Sequence, residues 1–140
     1  MIMKLLKIIF ILFFITNNLL ANTDYFNQGL ILYKKNDLEK AKFKFEQDLV
    51  QNPKNEKSYL YLSKIYKDQN KKKLEEQNLN TVILLDPQNE EALFNLAELK
   101  LEESDYSESK KMIENLLKFC KKYCQKSAEL KTRIEKSLKK

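Results

Sequence analysis

The stretches FKFEQDLVQNP (Phe43–Pro53) and LNTVILLDP (Leu79–Pro87) contain the only two prolines of a 140-residue chain, and those prolines stand 34 residues apart. Each follows an apolar run. Proline has no backbone N–H and restricts the residue before it, so it stops a helix that the apolar spacing would otherwise continue. Two such stops at one interval predict a repeated helical unit of that length.

Setting the chain in 34-residue register tests the idea. The units are 22–55, 56–89 and 90–123. Their fourth position reads Tyr25, Tyr59, Leu93, and the eighth reads Gly29, Ser63, Ala97. The eleventh reads Leu32, Tyr66, Lys100, with Leu101 beside the last. The twentieth reads Ala41, Glu75, Ser109, the twenty-fourth Phe45, Leu79, Ile113, and the twenty-eighth Leu49, Ile83, Leu117. Two antiparallel amphipathic helices need small residues where their backbones approach, expected at the eighth and twentieth positions. Large apolar residues fill the space around that contact. Glu75 breaks the pattern, and Lys121 stands where a third proline is expected. NDLEKA (Asn36–Ala41) and SDYSES (Ser104–Ser109) supply polar turns and N-cap candidates between paired helices. The last segment carries Ala128, Leu130, Ile134 and Leu138 at helical spacing. A stack of units leaves its final apolar face open, so 124–140 is expected to be a C-terminal capping helix, with Gln125–Lys139 as its helical part.

Composition agrees. One glycine leaves little for the turns of an all-β fold, and a chain with 33% charged and 43% hydrophobic residues suits amphipathic helices with solvated faces. The expected class is all-α, a solenoid of three helix–turn–helix units plus a cap. On these residues the chain resembles the tetratricopeptide repeat, most fully in YFNQGLILYKKNDLEKAKFKFEQDLVQNP of the first unit. The third unit is degenerate.

That resemblance implies a concave groove lined by positions two, five, nine, twelve and thirteen of each unit, able to hold an extended or helical peptide of a protein partner. The groove residues it points to are Phe26, Leu30, Tyr33 and Lys34 of the first unit, Leu60, Lys64 and Lys67 of the second, and Phe94 and Leu101 of the third. Phe26, Leu30, Tyr33, Leu60, Phe94 and Leu101 are expected to be apolar anchors; Lys34, Lys64 and Lys67 are expected to orient the partner. Some chaperone adaptors of the family grip a C-terminal carboxylate with Lys, Asn and Arg side chains. The matching positions here are Phe26, Leu30, Tyr61, Glu91 and Asn95, and Glu91 would repel a carboxylate, so that mode is not implied.

Nothing in the sequence suggests catalysis. Histidine, the usual general base and commonest metal ligand, is absent. The adjacent acids Glu75–Glu76, Glu90–Glu91 and Glu102–Glu103 would point about 100° apart on a helix. One glycine allows no phosphate-cradling loop. No cofactor and no metal are expected.

The first 21 residues read as a secretory leader. Lys4 and Lys7 precede the apolar run IIFILFFI (Ile8–Ile15), and a small residue, Ala21, ends the segment. The expectation is export to a periplasm or beyond, with retention of the segment as an inner-membrane anchor as the alternative. In an oxidising compartment Cys120 and Cys124, placed where the third unit meets the cap, are expected to form a disulfide; two free thiols are the alternative. The segment from Lys110 onward holds 11 basic and 3 acidic residues. That asymmetry suggests a second reading, a self-assembling or membrane-associated envelope protein acting through its basic C-terminal helix, with peripheral membrane contact. Export makes nucleic-acid binding an unfavoured use of the charge. Oligomeric state is not legible.

Overall fold

The computed structural model describes residues 24–139; the expected leader lies outside them. Seven helices follow in order: α1 (Tyr25–Lys34), α2 (Leu38–Gln51), α3 (Glu56–Asp68), α4 (Lys72–Leu85), α5 (Glu90–Glu102), α6 (Tyr106–Leu116) and α7 (Cys124–Ser137). No strand occurs among the described residues.

Each helix pair is closed by the same turn. Asn36, Asn70 and Ser104 have positive φ (60°, 54° and 63°) and recur every 34 residues. In each case the N–H of that residue bonds back three residues, and the next N–H bonds back five: Asp37 to the Leu32 carbonyl at 3.0 Å, Lys71 to Tyr66 at 2.8 Å, Asp105 to Lys100 at 2.8 Å. This is the Schellman arrangement, which satisfies the carbonyls left open at a helix end. Asparagine tolerates the left-handed region better than most residues, so the turns form without glycine. Asp37 and Asp105 then cap α2 and α6 by accepting from the backbone N–H groups of Lys40 and Glu108.

Packing follows the repeat. Ala41, Phe45, Leu62 and Ile65 form the first buried cluster, Leu60, Leu79, Val82, Ala92, Leu96 and Leu99 the second. The third, at the α7 end, contains Leu93, Ala97, Ile113, Leu116, Leu130 and Ile134. Gly29 earns its place: a Cβ there would sit 2.7 Å from the Phe45 ring. The equivalent pairs are Ser63 with Leu79 and Ala97 with Ile113, so the smallest residue faces the largest partner.

The first unit differs from the later ones at the positions that contact a preceding unit. Ile65 and Leu99 are 0% and 2% exposed, whereas Ile31, their equivalent in the first unit, is 54% exposed among the described residues. At another contact position Gln28 replaces Leu62 and Leu96. A polar outer face is what keeps the end of a stacked array soluble.

Two junctions use side-chain carboxylates. Asp48, 3% exposed, accepts hydrogen bonds from Asn52 Nδ2 (3.0 Å), Asn55 Nδ2 (2.7 Å) and Ser58 Oγ, fixing the α2–α3 turn at Pro53. At the other end, Cys120 and Cys124 are joined in a disulfide with Cα atoms 5.3 Å apart. The Glu90 carboxylate accepts three backbone N–H groups there, from Lys121 (3.0 Å), Lys122 (2.8 Å) and Tyr123 (2.8 Å). Those bonds hold its pKa below the ordinary carboxylate value. No residue of α7's own N-terminus caps it through a side chain; Glu90 serves instead.

Candidate protein-binding groove

The first helices of the units lie side by side and form one wall. Between α1 and α3 the contact is aromatic: Tyr33 meets Tyr61 edge-on at 5.1 Å, Phe26 meets Tyr61 at 6.0 Å, and Phe45 stacks behind Tyr61 at 5.2 Å. Burial raises the Tyr33 pKa above its ordinary value, so its hydroxyl is a neutral donor and acceptor at physiological pH. Between α3 and α5 the contact is ionic: Lys64 pairs with Glu91 at 2.7 Å and Lys67 with Glu98 at 3.2 Å. Lys64 also lies 4.6 Å over the Tyr61 ring. Phe94 of α5 then reaches Tyr123 at 5.4 Å, and Arg133 of α7 approaches Glu98 at 4.0 Å.

This geometry redistributes the expected roles. Phe26, Leu30 and Tyr33 stand partly exposed on the wall, Lys34 is exposed, and Phe94 and Leu101 are partly buried beside the third cluster. Leu60 is not an anchor. At 8% exposed it belongs to the second cluster, because this face of α3 turns into the unit rather than into the groove. Lys64 and Lys67 are not free to orient a partner either, since the acids one unit further on neutralise them. The expected basic and acidic strips thus collapse into a ladder of internal ion pairs. Tyr61, absent from the expected anchors, is the aromatic hub of the wall; only its place beside Phe26 and Tyr33 in three dimensions reveals it.

The adjacent acids diverge in the structure. Glu76 pairs with Lys100 while Glu75 is buried; Glu91 pairs with Lys64 while Glu90 clasps the last turn; Glu102 pairs with Lys72 at 3.4 Å while Glu103 pairs with Lys100 at 3.0 Å. No group of three or more His, Cys, Asp or Glu side chains is placed to hold a metal among the described residues. Glu75, at the close-packing position, is 4% exposed, and burial raises its pKa to about 7; Lys67 and Lys72 oppose the shift, Glu102 and Glu103 add to it.

Known structures supply the fold's name. The first TPR domain of Spaghetti (RPAP3), bound to the HSP90 peptide SRMEEVD, superposes with a TM-score of 0.75 over 83% of this chain and 91% of that one, at 16% identity. The fold is that of a tetratricopeptide-repeat array. The TPR2B domain of yeast Sti1, in its pHsp70 complex, matches with a TM-score of 0.72, covering 81% of this chain and 94% of its own at 12% identity. SycD, a type III secretion translocator chaperone of Yersinia enterocolitica, matches with a TM-score of 0.69, covering 81% and 80% at 15% identity. No family model matches the sequence, and no curated protein does. Within the tetratricopeptide-repeat frame, the wall described above is the concave face.

Proposed function

We propose that this protein is a non-catalytic interaction module of the cell envelope, exported by its N-terminal leader, which holds a peptide or helix of another exported protein in the concave groove. The observation that carries the reading is the aromatic wall of α1 and α3. Phe26, Tyr33 and Tyr61 are held rigidly against one another with faces only partly covered, beside the exposed Lys34. Rigid aromatic groups lose little entropy on binding and bury much area, which suits them to anchor a partner. The neutralised middle of the groove favours an apolar segment over a strongly charged one.

Site-specific photocrosslinking in the native compartment tests this. A photoreactive residue at Leu30 or Leu101 is expected to capture a discrete partner, and one at Lys73, at the far side of the fold, to capture none. Equal capture from all three positions would remove the groove from the account.

A further inference from the structure

One edge of the array differs from the other in a way the groove does not use. Because paired helices are antiparallel, the carboxyl ends of α2, α4 and α6 and the amino ends of α1, α3, α5 and α7 share one edge, where successive units join. Tyr25 of α1 lines a small cleft there with Gln47, Val50 and Gln51 of α2, which places the start of α1 beside the end of α2. Val50 and Leu84, equivalent residues of consecutive units, are 85% and 81% exposed on this edge. Their equivalent in the third unit is Lys118, followed by Lys121 and Lys122 on the disulfide-closed turn and Lys126 in the first turn of α7. All four lysines are exposed, and none is ion-paired among the described residues. Of the cationic residues further along α7, Lys131 and Arg133 face Glu114 (3.7 Å) and Glu98. The unpaired positive charge at this edge therefore belongs to the turn and the first turn of α7, while Lys136 and Lys139, also exposed and without an ion pair among the described residues, lie at the other end of that helix. The acids on the edge are partly engaged: Glu90 holds three N–H groups of that turn, Asp86 accepts from the Gln88 N–H and Asp24 from the Asn27 N–H, while Glu56 stands in sequence between Lys54 and Lys57.

Projecting aliphatic side chains next to unpaired lysines fit a lipid surface with acidic headgroups, since the apolar groups enter the interface while the cations meet phosphate. The position of the chain's start points the same way. Where the leader is retained as an anchor, its apolar run Ile8–Ile15 is separated from Tyr25 by nine residues, a reach of at most about 30 Å, and α1 begins on this edge. We infer that the edge carrying Val50, Leu84 and the Lys118–Lys126 segment docks on an anionic bilayer, leaving the concave groove open to its partner.

The chain has no tryptophan, so one introduced residue reports its own position. In the full-length chain carrying Leu84→Trp, tryptophan emission is expected to move to shorter wavelength with mixed phosphatidylcholine–phosphatidylglycerol vesicles. It should stay fixed with phosphatidylcholine alone, even where the leader partitions into both, and return on adding salt. Tryptophan introduced at Lys73, on the opposite edge, should not respond. Replacing Lys118, Lys121 and Lys122 together by glutamine keeps the backbone bonds to Glu90 and is expected to weaken the response about 100-fold, at roughly a fivefold loss per lysine. Far-UV circular dichroism of each variant verifies the fold. An unshifted emission with anionic vesicles, an equal shift with neutral ones, or an unweakened triple variant would overturn the docking. The first would leave an acidic protein as the partner of this edge. None of these outcomes bears on crosslinking from Leu30, so the groove and the edge stand or fall separately.

Discussion

The α2–α3 junction and the α6–α7 junction do the same work with different chemistry. At the first, proline ends the helix, and a buried carboxylate from the outgoing helix gathers two amides and a hydroxyl of the next segment. At the last there is no proline. Helix α6 stops at Leu116, 31 residues past the end of α4 rather than 34. A disulfide closes the turn, and a surface carboxylate from the preceding unit's first helix collects its backbone N–H groups. The difference teaches where the array is made stable and where it is merely aimed. Removing a carboxylate that water cannot replace leaves donors stranded; removing one at the surface lets water take its place.

The largest expected effect therefore belongs to the first junction. Asp48→Ala strands the buried Ser58 hydroxyl and releases the side chains of Asn52 and Asn55, and should lower the free energy of unfolding by about 2–4 kcal/mol in urea titration. A loss under about 1 kcal/mol would put the two junctions on an equal footing. The second effect sharpens the contrast by reversing its sign. Glu75 is also buried, but accepts no hydrogen bond comparable to those of Asp48, and its pKa is raised from 4.5 to about 7. Between those values the native state keeps a proton that the unfolded chain has released. Stability thus falls as pH rises from about 4.5 to about 7, then levels. Glu75→Gln should remove that fall, leaving the variant more stable than the native protein by about 1–3 kcal/mol at pH 8 and little changed at pH 4. Thermal melts across that range give the answer, and parallel curves for the two proteins would contradict it. The smallest effect is at the last junction. Cys120→Ser with Cys124→Ser opens only a short loop, a loss of about 2 kcal/mol or less in the chain-entropy account. Hydrogen exchange of amides 121–123 should rise modestly in this variant and sharply once Glu90→Ala is added. A sharp rise from the cysteine changes alone would assign the clasp to the disulfide.

These same residues show what sequence could and could not convey. The 34-residue period, the helix pairs and the cap were legible because proline spacing and apolar periodicity act locally. Leu60 was misplaced because the period fixes a position in the unit but not the few degrees of helix rotation that decide between groove and core. Lys64 and Lys67 looked free because their partners, Glu91 and Glu98, lie about thirty residues away and meet them only when α3 and α5 lie side by side. The clasp by Glu90 was hidden for the same reason, and its ligands are backbone groups, which carry no sequence signature. Asp48 had one legible sign, a charged residue at a position where Val82 and Leu116 stand in the other units.

The pairing of Gly29 with Phe45 also constrains the order in which such a unit can change. With serine or alanine at the eighth position, a phenylalanine opposite has no room, for Phe45 is fully buried and held between Phe26 and Tyr61. With leucine opposite, glycine leaves only a small void. A path of single replacements from the second unit's pair to the first unit's must take the glycine first and the ring afterwards. The reverse order passes through a chain that cannot close its own first hairpin.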